Sequence, residues 1–416
     1  MNSQQIAFDG TQSGLENIRH IDLSAQNVYV GRSAGENQRL QQAGNNNQGA
    51  VLLGYEAGKF SQNTRNNVYI GHRAGYNSVD DADNVFVGSS SGLNNVSGSK
   101  NTFLGSESGY NNRGGNQNVF VGVHSGGDNQ NGFQNTFIGA ESGQKNTDGN
   151  RNVFVGNNSG NNNLNGSSNV FVGDHSGANN YFGNENVFMG KDSGNQNTNG
   201  QRNTFCGNQT GQGNKEGSDN VFLGNRAGQL NALGNFNCMI GNESGQTNTQ
   251  GSHNTFVGNR CGQNNKYGSY NTYVGDNSGQ NAQGNDRNVL IGYQSGMRMH
   301  NGERNVFIGT QCGQNCINST NNIFIGYESG FNNNLITQNS ARGYSNISAH
   351  IMVDGAVTTD ITTDIINRVS QNEIITYPHN LVIQFDSLYG RHVMYTKANE
   401  SFAWNTEYTS EPVELF

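Results

Sequence analysis

Charged residues are scarce in this chain, 23 Lys and Arg against 31 Asp and Glu in 416 residues, 13% in all, for a net charge of −8. An acidic balance with no Lys/Arg stripe argues against nucleic acid as a partner, because phosphate contacts need clustered cations. Proline occurs twice and tryptophan once. Only 31% of the residues are hydrophobic, and no apolar run approaches the roughly 18 residues that a membrane-spanning helix needs. No charged-then-apolar leader opens the chain, so synthesis without a secretory signal is expected. Five cysteines do not make a disulfide framework. Cys261 and Cys312 fall at equivalent repeat positions three coils apart, about 14 Å, too far to bridge. Cys206 and Cys238 sit in core strand positions; Cys312 and Cys316 could pair, but thiols in a reducing compartment fit better. No His/Cys spacing makes a zinc site, and no metal or other cofactor is expected.

Glycine is abundant, with 59 residues, more than all charged residues together, and its placement is periodic. A pentapeptide, Asn-(Val/Thr)-Phe-(aliphatic)-Gly, recurs down the chain, closing at Gly31, Gly54, Gly71 and so on to Gly326. From Gly54 to Gly326 every step is 17 residues, sixteen times running; only Gly31 to Gly54 is longer, at 23, through an insertion around Gln38–Gly49. A second glycine follows four residues after the first (Gly92, Gly109, Gly126), and a third usually precedes the next Asn by three (Gly98, Gly115, Gly149, Gly166). Glycines at fixed offsets mark positive φ or close backbone approach. Each unit therefore reads as a short strand plus tight corners, one coil of a parallel β-solenoid of about 18 coils. The residue before the second glycine is always small (Ala57, Ser91, Thr210, Cys261), which suggests a narrow coil with that side chain facing the Phe. The Asn that opens the pentapeptide is replaced once, by Ala50. Stacked at about 4.8 Å, these side chains are expected to form a ladder in which each amide donates to the next.

Alternate strand residues face opposite sides, so Val85 and Val87 share one face and Phe86 takes the other. Both faces are apolar in nearly every unit, and a coil interior can hold only one of them. Eighteen coils at about 4.8 Å leave a stripe on the order of 800 Å², where soluble monomers rarely show more than a few hundred. The stripe is expected to be an interface closed by cyclic association, with a homotrimer favoured over a dimer or a self-covered monomer.

At these residues the sequence resembles the head domains of trimeric autotransporter adhesins and the Asn/Gly-rich shafts of viral and phage fibres. The resemblance covers roughly 27–330 and implies a β-roll with three chains on one axis. The longer repeat and its central Phe leave open which strand face is inside. With no signal segment, coiled-coil stalk or membrane barrel in the sequence, a cytoplasmically made fibre, spike or tail component of a virion is the expectation, rather than an autotransporter. An architectural surface or filament subunit and an extracellular cellular adhesin are the alternatives.

Outside the repeat, 1–26 is expected to cap the solenoid or anchor it to other particle proteins. The segment 331–416 is expected to be a small C-terminal β tip or trimerisation domain. Within it His350–Val357 reads as a hairpin about Asp354-Gly355, and Leu381–Phe385 with His392–Thr396 as a second; Asp360–Val369 is ambiguous between strand and helix. Its aromatics Tyr389, Tyr395, Phe402, Trp404 and Tyr408 are candidate receptor contacts, or simply core. The uniform Asn/Gln/Ser surface suits weak multivalent glycan contacts. Catalysis is not expected: the calcium β-roll pattern is absent, no groove breaks the repeat to seat paired carboxylates, and no regular Thr rank suggests ice binding. Asp80, Asp81 and Asp83 read as a solvated corner.

Overall fold

The strand-closing glycine explains why each strand is so short. Its φ is +136° at Gly156, and a side chain there would run into the backbone of the next coil. The extended segment therefore ends at this residue, after three residues such as Val153–Val155. The computed structural model describes residues 27–40 and 48–331, and the backbone of further strands between 346 and 396. The segments 1–26 and Asp360–Val369 lie outside the described residues. The fold is all-β, a parallel β-solenoid with a 17-residue coil, and the chain divides into two units, Met1–Asn259 and Arg260–Phe416.

In the first unit β1 (Val28–Val30) and β2 (Val51–Leu53) are joined through a short helix, α1 (Glu36–Leu40), which occupies part of the six-residue insertion. The strands β3 (Val68–Ile70) to β14 (Thr255–Val257) then follow at seventeen-residue spacing. Each pairs in parallel, in register, with the next, as Phe154↔Phe171 and Val155↔Val172 illustrate. The rest of the coil is held to its neighbours through turns: Gly160 N–H donates to Ser176 O (2.9 Å), and Arg151 N–H to Phe133 O (3.0 Å).

The strand's central residue forms the core. Phe86, Phe103, Phe154 and their equivalents have no solvent exposure. From Tyr69 to Phe222 successive ring centroids lie 4.7 to 4.9 Å apart with planes within 3 to 9°. The ring spacing is the strand spacing, so the stack follows from the register. What lies against each ring is the second glycine, not the small residue before it. A Cβ at Gly160 would sit 2.4 Å from the Phe154 ring. The small residue instead points its hydroxyl at the next coil's main chain, Ser159 Oγ donating to Phe171 O at 3.1 Å. In most coils two non-glycine residues adopt the left-handed conformation at the corners, for example Asn158 (φ 52°) and Ser168 (φ 59°). Each costs on the order of 1 kcal/mol, offset by the hydrogen bonds between coils.

The second unit repeats the arrangement in β15 (Thr272–Val274), β16 (Val289–Ile291), β17 (Val306–Ile308) and β18 (Asn322–Ile325). A further parallel strand, β19 (Asn346–Ala349), pairs with β18 after the seventeen-residue register has ended. Beyond it the pairing is antiparallel. β20 (Met352–Val353) and β21 (Ala356–Val357) pair with each other, while Asp354 and Gly355 lie outside the described residues. β22 (Ile375–Thr376), β23 (Leu381–Asp386) and β24 (Arg391–Thr396) form a three-stranded sheet that contains the second expected hairpin.

Candidate self-association face

Placing the aromatic inside sends the second and fourth pentapeptide positions outward. In the first unit they form two parallel columns along fourteen coils, about 60 Å at the strand spacing. One column runs through Val119, Val153 and Val221, the other through Leu104, Ile138 and Met189, all more than a third exposed. No position in either column carries a charge; Thr102, Thr136, Thr204 and Thr255 are the polar members. At a width near 10 Å the strip is on the order of 600 Å² from this unit alone, above the usual limit for a free surface.

The rows bordering the strip are mostly polar, with Tyr55, Val123 and Phe236 as their exposed apolar members. Before the strand lie exposed Lys100, Arg151 and Glu185, and an Arg202–Asp219 pair with Nε to Oδ1 at 2.6 Å. That pairing holds the Asp219 carboxyl below its ordinary range. After the strand-closing glycine, Asn208, Asn225, Asn242 and Asn259 form an exposed ladder, each Nδ2 donating to the next Oδ1 at 3.0 to 3.3 Å. A dry centre with a polar rim is the anatomy of a protein interface. A half-buried ladder elsewhere ends on Asp, Asn111 donating to Asp128 at 2.8 Å, because a carboxylate accepts but cannot donate onward.

No family model matches the chain. Comparison with curated proteins and with solved structures finds no match either.

Two expectations from the sequence need correction. The opening Asn column is buried and laddered, but mainly through the main chain: Asn152 Oδ1 accepts from Asn169 N–H at 2.9 Å, and Asn152 Nδ2 donates to Gly166 O at 2.8 Å. From Asn203 to Asn254 its amides also donate to the preceding Oδ1, as Asn220 Nδ2 does to Asn203 Oδ1 at 3.1 Å. A second amide-to-amide ladder runs one column away, through ten asparagines from Asn95 to Asn248. In it Asn163 Nδ2 donates to Asn146 Oδ1 at 2.7 Å and to Gly166 O at 2.8 Å. The third glycine is required there by contact, since a Cβ at Gly166 would meet Asn163 Oδ1 at 2.4 Å. The acidic trio is not uniformly solvated. Asp80 and Asp83 are exposed, accepting from Asn63 and Asn66, but Asp81 is 2% exposed.

Of the five candidate receptor aromatics, Tyr395 falls in the backbone of β24; Tyr389, Phe402, Trp404 and Tyr408 lie outside the described residues. Among the described residues no group of three His, Cys, Asp or Glu side chains is arranged to hold a metal ion, and no helix is long and apolar enough to cross a membrane. Cys312 points its thiol at Phe324 O (3.2 Å) and Cys316 at Gly330 O (3.4 Å). Burial pushes the Cys312 thiol up to about 12, whereas Cys206 and Cys238 are not in the core, contrary to expectation: their strand positions face outward, and Cys206 is exposed on the outer column. Iodoacetamide at pH 8 is therefore expected to spare Cys312 until unfolding, and to label Cys206 wherever the outer column is not covered by a second chain. Peptide mass spectrometry reads this directly, and early labelling of Cys312 would contradict its burial.

Proposed function

We propose that this chain is a non-enzymatic structural protein, the shaft of a fibre or spike on a virus or phage particle. In this reading it self-associates as a homotrimer, is held to other particle proteins through its N-terminal segment, and presents 331–416 at the virion surface for attachment to a host glycan or receptor. One observation carries the reading: the coil presents an uncharged apolar strip along its first unit, bordered by mostly polar rows. A stable protein partnership buries about 800 Å² on each side, and the strip approaches that figure before the second unit is counted. Identical strips hide one another completely only when the association closes, which favours a cyclic oligomer.

Sedimentation equilibrium tests the association. The full chain is expected to sediment as a trimer of the 44.9 kDa polypeptide. The double substitution Val153→Lys/Val155→Lys, placed on the outward positions of one strand, is expected to weaken association at least tenfold with the core stack intact. A monodisperse monomer at every concentration would overturn the trimer. Immunogold labelling tests the location: label on fibres projecting from virus particles supports the reading, and label confined to cell surfaces would replace it with a cellular adhesin.

A further inference from the structure

The buried amide ladder has a direction. Each Nδ2 donates to the Oδ1 of the preceding coil, from Asn248 to Asn231 and so on back to Asn112 to Asn95 (2.6 Å). The column must therefore begin with a group that accepts and has no donor duty of its own. Asn95 Nδ2 donates to Asp81 Oδ2 at 2.7 Å. We propose that Asp81 is the end-stop of this ladder and a proton-operated joint between the first three coils and the remainder of the first unit.

The surroundings of Asp81 fit that role. Asn67 Nδ2 donates to Oδ1 at 2.8 Å, and the Tyr69 hydroxyl donates to Oδ2 at 2.8 Å. One carboxyl thus ties together a coil on either side of its own. Asp81 stands where later coils have the third glycine, and its Cβ is accommodated because Ser78, three residues earlier, replaces the ladder Asn. Tyr69 stands where most later coils have Phe, and its extra hydroxyl finds its acceptor in the same carboxyl. The aligned amides of the ladder turn their N–H ends toward Asp81, as the peptide dipoles of a helix do toward an anion at its N-terminus.

The groups facing the carboxyl are Asn67, Tyr69, Ser78 and Asn95, and none is a cation. Burial is the largest influence and pushes the carboxyl up to about 6, with the donors holding it back. Burial also raises the Tyr69 hydroxyl well above its ordinary range, so it stays protonated. The buried Ser78 Oγ faces the carboxyl without a hydrogen bond of full geometry, and it is the acceptor open to a proton on Asp81. A carboxyl raised when folded favours folding once protonated. The added stability is absent above pH 6, grows as the pH falls toward 4, and does not grow further below that. Mild acid therefore tightens the joint and neutral pH loosens it.

Hydrogen exchange on the full chain, corrected for intrinsic rates, tests this. Between pH 7 and pH 5 the protection of amides in 64–101 is expected to rise about tenfold, with little change in β8–β10 (Val153–Val155 to Val187–Met189). Asp81→Asn is expected to abolish the rise, and Ser78→Ala, which keeps the acid but removes the acceptor, to reduce it. The carboxyl ¹³C resonance of Asp81 in the unmodified chain provides a readout independent of any variant's folding. A midpoint near 6 supports the joint. A midpoint near 4, flat protection, or the same rise in Asp81→Asn would overturn it.

Discussion

Gly156→Ala is expected to cost at least about 3 kcal/mol and to open the first unit locally. Two effects act together. The residue has φ +136°, where an L side chain is strained, and the added Cβ would lie 2.4 Å from Gly173 O and 2.6 Å from Gly173 C. Both atoms are backbone, so no rotamer change relieves the contact, and the coils must separate. In a stack where each coil touches only its neighbours, such a break costs two adjacent interfaces but leaves distant coils intact. Exchange protection should fall over roughly 136–176 and hold near Phe86. Gly114→Ala is the control: its Cβ would meet only Asn131 Oδ1 at 3.3 Å and Ser97 Oγ at 3.7 Å, so it is expected to be neutral within about 1 kcal/mol. Thermal unfolding separates the two. A melting temperature for Gly156→Ala within a degree or two of the unmodified chain would show that the glycine column is not a close backbone contact.

The glycine column also shows which parts of the structure were legible beforehand. Period, strand position and the division of Val85-Phe86-Val87 between two opposite faces follow from spacing and alternation alone, because a parallel stack repeats one local solution. The assignment of the two apolar faces needed the structure. Phe fits inside only because Gly92 leaves room for its ring, a contact across the coil that no periodicity encodes. The second ladder was missed for a related reason. In an Asn-rich chain Asn95 resembles a turn residue, and its burial depends on Gly98 O and Asn112, neither of which is a strand neighbour. A signal was nevertheless present. Thr64, Asp81, Asn285 and Ser319 replace the third glycine, and in each case the residue three earlier is small: Ser61, Ser78, Ala282 and Cys316. Glycine stands with Asn, or at Gly302 with Met299, and a larger residue stands with a small one, because the two side chains compete for one space. Reading that exchange would have placed Asp81 inside the coil rather than at a solvated corner.

The same ladder gives the second large effect, Asn163→Asp, a change of one amide to one carboxylate with almost no change in shape. Asn163 Nδ2 donates to Asn146 Oδ1 and Gly166 O, while its Oδ1 accepts from Asn180 Nδ2 at 2.7 Å. An ionised Asp there keeps the last bond but turns an oxygen toward two acceptors, in a site with no solvent exposure. The expected cost at pH 7 is about 3–5 kcal/mol, against about 2–3 for Asn163→Ala, which leaves the neighbours unpaired without adding charge. The pH response identifies the cause. Desolvation and facing lone pairs raise the carboxyl when folded, so stability returns as the pH falls through that raised value toward the ordinary one near 4. One proton restores one donor, so recovery should be partial. Asn162→Asp is the matched control, half-buried and donating to Asn179 Oδ1 at 2.9 Å, in a row where Asp128 already ends a ladder. It is expected to cost less than about 1 kcal/mol with little pH dependence. Denaturant unfolding of the three variants at pH 7 and pH 5 measures all of this. Equal costs for Asn163→Asp and Asn162→Asp would mean that water reaches the inner column and that the ladder is not a dry element of the core.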